Sequence, residues 1–75
     1  MAFWDEEREL ATFPKNERGE EIRVKAVSKK GREFIDIRTF YPGKDDMLPG
    51  KGVSVPRELS GAVAEAILAE VNVGV

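Results

Sequence analysis

Twice in the middle of the chain, apolar and polar residues alternate one for one. From about Glu21 to Ser28, Ile22, Val24 and Ala26 fall on one side and Arg23, Lys25 and Val27 on the other. From about Arg32 to Tyr41, Ile35, Ile37 and Thr39 share one side, and Phe34, Asp36, Arg38 and Phe40 share the other. A period of two is the strand period, in which successive side chains point to opposite faces. The intervening Lys29-Lys30-Gly31 predicts a tight hairpin turn, because glycine takes up a positive φ without a Cβ clash. Upstream, Leu10 and Phe13 give a weaker pattern, which predicts a strand over about Glu9–Phe13 and a charged turn from Pro14 to Gly19. Residues 1–8 read as a flexible acidic N-terminal arm, with Phe3 and Trp4 available to pack on the domain or on a partner.

The period changes after Pro56. Leu59, Ala62, Val63, Ala66, Ile67 and Val71 recur at helical spacing and predict a helix over about Arg57–Glu70. Pro56 suits the first helical position, and Glu58 suits the positive end of the helix dipole. Gly61 inside the helix costs roughly 1 kcal/mol against alanine and marks a kink or a close helix–helix approach. Pro42–Gly50, with two prolines, two glycines and two aspartates, reads as a loop, and Gly52–Val55 as a short fourth strand. The predicted order is ββββα. It gives an α+β fold, a curved four-stranded antiparallel sheet with one apolar C-terminal helix laid on it.

A chain of 75 residues makes one domain. It buries only about 60% of the surface its unfolded form exposes, so its core is marginal. With no cysteine there is no disulfide to staple it and no thiolate for zinc; with no histidine, the commonest general base and metal ligand is missing. A second copy is the remaining source of buried apolar area. The helix carries more apolar surface, Ala64 and Leu68 included, than one sheet face covers, and a homodimer is predicted. The longest apolar stretch, Ala66–Ala69, is too short to span a bilayer, and the N-terminus shows no signal peptide. The expected setting is the cytoplasm, with no membrane partner.

The net charge of -2 argues by itself against a polyanionic partner, but the distribution changes the picture. Residues 1–21 carry a balance of -4, residues 22–51 one of +4, and residues 52–75 one of -2. Local sign sets the field that a polyanion meets at close range. With Val24, Ala26, Ile35 and Ile37 under the helix, the other face carries Arg23, Lys25, Asp36 and Arg38, with Phe34 and Phe40 among them. Tyr41 stands at the strand end, and Lys29, Lys30, Arg32, Lys44 and Lys51 occupy the surrounding turns and loops. Lysine and arginine neutralise phosphates, and planar rings give unpaired bases a surface to stack on. Each residue singly also has a plainer reading, as a solvated lysine or as an aromatic of a core or dimer interface. Motifs for chemistry fail: Gly50-Lys51 is followed by Gly52 rather than Ser or Thr, Asp45-Asp46 lacks the spaced oxygens of a calcium loop, and no serine has a histidine to activate it. No catalytic residue, metal or cofactor is expected.

Residues 35–55, IDIRTFYPGKDDMLPGKGVSV, resemble the positive cofactor four family of transcriptional coactivators. They carry its I-D-I-R strand, aromatic pair, Pro/Gly/acid loop with a methionine, and P-G-K-G-[IV]-S-[LV] segment before a Pro-led helix. The resemblance extends over roughly residues 20–70. It implies a homodimer of ββββα protomers that binds single-stranded DNA in grooves of the curved sheets, residues 9–75 forming the binding domain. Family DNA contacts fall on Arg38, on Tyr41, where animal members typically carry tryptophan, and on Lys51. A family stacking aromatic falls on Lys29, where a cation replaces the ring. With the basic face, the candidate nucleic-acid-binding set is Arg23, Lys25, Lys29, Lys30, Arg32, Arg38, Phe40, Tyr41 and Lys51. The serine-rich arm of eukaryotic coactivators is absent, which points to a bacterial or viral member, nucleoid-associated or acting in a host cell. The expected role is transcription regulation, or replication, recombination and repair, with transcription or replication proteins as further partners. A protein-interaction module, or an RNA-binding protein, using the same basic face is the alternative.

Overall fold

The computed structural model describes residues 3–73. Four strands, β1 (Glu6–Pro14), β2 (Glu21–Lys29), β3 (Arg32–Pro42) and β4 (Met47–Pro56), precede one helix, α1 (Arg57–Val71). The strands form a single open antiparallel sheet in chain order, β1-β2-β3-β4. The ββββα α+β architecture is thus present. Register irregularities at Glu9/Ala11 on β1 and at Arg38/Phe40 on β3 bend the sheet, as bulges do.

The central hairpin follows the alternation. Val24 pairs with Ile37 and Ala26 with Ile35 on one face, while Arg23 pairs with Arg38, Lys25 with Asp36 and Val27 with Phe34 on the other. Its turn is two residues, Lys30 at φ 51° and Gly31 at φ 80°. Two consecutive positive φ values match the right-handed twist of the flanking strands. Lys29 is therefore the last residue of β2, paired with Arg32, rather than part of the turn.

The edge strands are longer than expected. β1 begins at Glu6, so the last three residues of the expected arm are strand; Asp5 N–H also donates to Ser28 O at 2.9 Å. Met1 and Ala2 of that arm lie outside the described residues. Charges at Glu6–Glu9 are tolerated because an edge strand pairs on one side only, and Glu7 finds Lys25 at 3.5 Å. β4 begins at Met47, inside the expected loop, which shrinks to residues 43–46. Pro49 needs no N–H partner on an edge strand, and the bulge opposite Thr39 takes up the extra residue. Between β1 and β2, Asn16 organises the turn. Its Oδ1 accepts from the N–H groups of Arg18 and Glu20, and its Nδ2 donates to the Glu20 carboxylate at 2.6 Å. That hydrogen bond, with Arg18 next, holds the Glu20 carboxyl below its ordinary range.

The helix does not lie on the sheet within one protomer. α1 approaches only β3 and β4, and of its residues only Ser60 is half-buried. The expected core face of Val24, Ala26, Ile35 and Ile37 is correspondingly half-covered. The buried residues, Val27, Asp36 and Phe40, belong to the opposite face. Leu59, Val63, Ile67, Leu68 and Val71 are exposed along the helix, which runs unbroken through Gly61.

Gly52 on β4 leaves no room for a side chain against β3. A Cβ there would stand 2.5 Å from Ile37 O and 2.7 Å from Arg38 Cα, both backbone atoms with no room to yield. Gly52→Ala is expected to destabilise the fold by about 1–3 kcal/mol, the cost of overpacking. In a domain this small that lowers the melting temperature by roughly 4 °C or more, measurable by thermal denaturation.

Candidate nucleic-acid interface

The face away from the Ile/Val alternation is built on a carboxylate. Asp36 is 3% exposed and accepts three hydrogen bonds, from Arg38 Nε at 3.1 Å, Arg38 Nη2 at 2.9 Å and Ser54 Oγ at 2.8 Å. Arg38 sits two residues further along the same strand, so alternation brings both side chains to one face. Its remaining nitrogen, Nη1, donates to Gly50 O on β4 at 2.9 Å. The guanidinium is fixed on three sides, and its hydrogen bond to Asp36 holds it protonated above its already high ordinary pKa, against a smaller opposing effect of burial. No buried side-chain polar atom among the described residues lacks a partner.

Beside this pair, Phe40 is buried beneath two cations. The Arg23 guanidinium stands 4.4 Å and Lys25 Nζ 4.9 Å from its ring centroid. Each of the two also has a carboxylate, Arg23 with Glu21 at 2.9 Å and Lys25 with Glu7 at 3.5 Å. Phe40 is thus the floor of the face rather than an open platform.

At the hairpin end the cations are less committed. Lys29, Lys30 and Arg32 make no ion pair with a carboxylate among the described residues. Lys29 Nζ lies 4.6 Å from the Phe3 ring centroid and Arg32 lies 5.4 Å from that of Phe34. Phe3 meets Trp4 edge-on at 4.8 Å, and Trp4 packs against Phe34 at 5.7 Å. All of these residues line a single groove of about 1020 Å³ that continues past Lys25, Asp36 and Arg38 to Phe40 and Gly50.

The structure therefore gathers Lys25, Lys29, Lys30, Arg32, Arg38 and Phe40 of the predicted set around one groove, with Arg23 stacked on Phe40 at its edge. Tyr41 and Lys51 stand outside its wall, at the β3–β4 end. Alternation turns Tyr41 away from the Phe40 side; its ring, 40% exposed, runs beside Gly50. Lys51 is exposed in the β4 bulge. Phe3 and Trp4 are groove residues that alternation did not reveal, because they precede the first strand. The only sequence signal for them was an aromatic pair, with the chain's sole tryptophan, in an otherwise charged segment. Among the described residues no group of three metal-ligating side chains forms, and no helix is long and apolar enough to cross a membrane.

These features have relatives. BPSL1147, a PC4 homolog from Burkholderia pseudomallei K96243, superposes with a TM-score of 0.79 in its tetragonal crystal form, at 25% identity over 89% of this chain and 100% of that one. Its orthorhombic form gives a TM-score of 0.80 at the same 25% identity, over 97% of this chain and 100% of the other. Among curated proteins none matches. The family model for Transcriptional Coactivator p15 (PC4) matches residues 16–66, which hold β2, β3, β4 and the first part of α1, and with them the Asp36–Arg38–Ser54 cluster. The chain belongs to the PC4 family.

Proposed function

We propose that this protein binds single-stranded DNA without sequence preference, as a homodimer. The observation that carries the reading is the groove, where Lys29, Lys30 and Arg32, without carboxylate partners among the described residues, share the wall with aromatic rings and a fixed Arg38. A chain of phosphates and unpaired bases has the complementary pattern of charge and flat apolar surface. A duplex keeps its base faces stacked inside and cannot use the rings. Membership of PC4, a nucleic-acid-binding or coactivator family without enzymatic activity, supports the same class of partner. On this reading Arg38 and Lys51 contact phosphates, and Tyr41, on the other side of β3, stacks a base that has left the groove past its β3–β4 end. The biological setting is the cytoplasm, at the nucleoid, in transcription regulation or in replication, recombination and repair.

The homodimer follows from what one protomer leaves uncovered. A helix with no buried residue, and exposed Leu10, Phe13 and Val53 on the sheet, need a cover, and a second copy supplies the same surface in return. Sedimentation at micromolar concentration is expected to give twice the 8.4 kDa chain mass. Ile67→Glu, harmless on an exposed monomeric helix, is expected to halve it.

Binding is tested by anisotropy with a labelled oligonucleotide, its duplex, its RNA counterpart and an acidic peptide, across a salt series. The single strand is expected to bind more tightly than the duplex. Equal or tighter duplex binding overturns the reading, and tighter peptide binding replaces it with a protein-interaction module. Lys30→Ala is expected to flatten the salt slope by about 0.7, one phosphate contact on a single strand. Lys30 is a cleaner probe than Arg38, whose removal also strips a buried carboxylate of its partner at about 1–3 kcal/mol of stability. Tyr41→Ala is expected to weaken binding by about 1–3 kcal/mol with the slope unchanged, and Tyr41→Trp to bind as well as the parent or better.

A further inference from the structure

The Phe3–Trp4 pair lies outside residues 16–66, which match the PC4 family model, and lines the groove. Short polar bonds hold it there. Asp5 N–H donates to Ser28 O at 2.9 Å, continuing the β1–β2 ladder one residue beyond Glu6. The Asp5 carboxylate accepts the Lys30 N–H at 2.7 Å, tying the segment to the hairpin turn. Lys29 Nζ donates to Phe3 O. The backbone entering the strand is thus fixed on both sides of the hairpin end, and the two rings are carried with it.

The rings are not packed as core. Trp4 is half-buried and Phe3 is 68% exposed, although both have apolar neighbours at hand. Phe3 supports Trp4 edge-on and Phe34 supports it at a tilt of 44°, leaving the rest of the indole on the groove. Of the acids of this segment, Glu7 is offset by Lys25, while Asp5 keeps its charge on the Lys30 N–H, outside the groove lining. Lys29, Lys30 and Arg32 line the same groove. A large flat ring braced from behind, in a groove whose hairpin-end cations have no ion pair among the described residues, matches a nucleobase and its flanking phosphates.

We infer that Trp4, braced by Phe3 and Phe34, is a base-stacking platform of the groove, supplied by the segment before β1, with Lys29, Lys30 and Arg32 taking the adjacent phosphates. The inference rests on the single-strand reading of the groove and adds to it a stacking site that strand alternation does not provide. The opposite role, a hydrophobic plug that keeps the groove closed, predicts the opposite sign for removing the ring.

Trp4 is the chain's only tryptophan, so its emission reports on this site alone. The full chain is titrated with an oligothymidylate, following tryptophan emission and, separately, anisotropy of the labelled oligonucleotide. Emission is expected to be quenched in step with the anisotropy change. Trp4→Leu is expected to bind about 5- to 150-fold more weakly, the effect of one lost stacked base, with the salt slope retained. Trp4→Phe, which keeps a ring against Phe34, is expected to recover most of the loss. Far-ultraviolet circular dichroism establishes that the variants are folded. Emission that stays constant through saturation, or Trp4→Leu binding equal to or tighter than the parent, overturns the inference while leaving the single-strand reading intact. A parent chain that binds no oligonucleotide overturns both.

Discussion

A carboxylate taken out of water must be matched by donors, and in this sheet the match joins two strands. Asp36 on β3 is held by Arg38 from its own strand and by Ser54 from β4. Arg38 in turn reaches Gly50 O. The cluster therefore fixes how β3 and β4 lie against each other, next to the close approach at Gly52. It also fixes the position of one cation on the groove floor. A buried ion pair of this kind contributes little net stability, since desolvation offsets most of the attraction. Its effect is geometric: any slip of β4 by one residue turns Ser54 away and leaves the carboxylate short of a donor. Register, strand contact and the placement of Arg38 are thus one constraint.

The same constraint explains why one protomer looks unfinished. Burial is concentrated at Val27, Asp36 and Phe40, on the groove side, because the long stems of Arg23 and Lys25 fold over Phe40. The aliphatic side, where a small domain ordinarily places its core, is half-covered, and α1 stands clear of it. Apolar area is the dominant stabilising term available to a chain without disulfides or metal, and a large part of it is unused in the single copy. The proposed homodimer is what makes this division of faces workable. It leaves the groove side to a ligand and gives the aliphatic side and the helix to a partner copy.

Legibility in the sequence followed from pairing. β2 and β3 are flanked by strands on both sides, so their residues alternate strictly and their boundaries were readable to within a residue. β1 and β4 are edges. An edge strand is solvated along one side, and Glu6–Glu9 or Pro49–Gly50 satisfy its demands without an apolar rhythm. These stretches accordingly read as arm and loop. The helix was visible from its period, but not its position, since periodicity shows which face is apolar and not what covers it. At the groove, alternation correctly put Arg23, Lys25, Asp36, Arg38 and Phe40 on one face. It did not show that Arg38 is committed to Asp36, or that Phe40 lies beneath cations. Those facts depend on where long side chains fold. Trp4 and Phe3 reach the groove through backbone bonds of Asp5, which leave no periodic trace.

A chain of net charge -2 is able to present a cationic groove because the acids that line it, Glu7 and Asp36, are each paired with a cation. Glu21 is paired with Arg23, Glu7 with Lys25 and Asp36 with Arg38, and Asp5 accepts a backbone N–H. The hairpin trio, Lys29, Lys30 and Arg32, has no carboxylate partner among the described residues. A further regularity couples charge to stacking: Phe40, Phe34 and Phe3 each lie under at least one cation. In the free protein those cations cover the rings and gain a modest cation–π attraction. For a polyanion bound as proposed, phosphates draw the cations outward and uncover the ring faces to bases in the same movement. Phosphate neutralisation and access to the Phe40 ring are then not separable events, because Arg23 and Lys25 must leave for either to be complete. Trp4 is different. Among the described residues no cation is stacked on its ring, so its exposed surface is available before any phosphate arrives. On the proposed reading the groove has one platform preformed at the hairpin end and another opened by the ligand's own charge, an order that runs from the cations without carboxylate partners toward the paired ones.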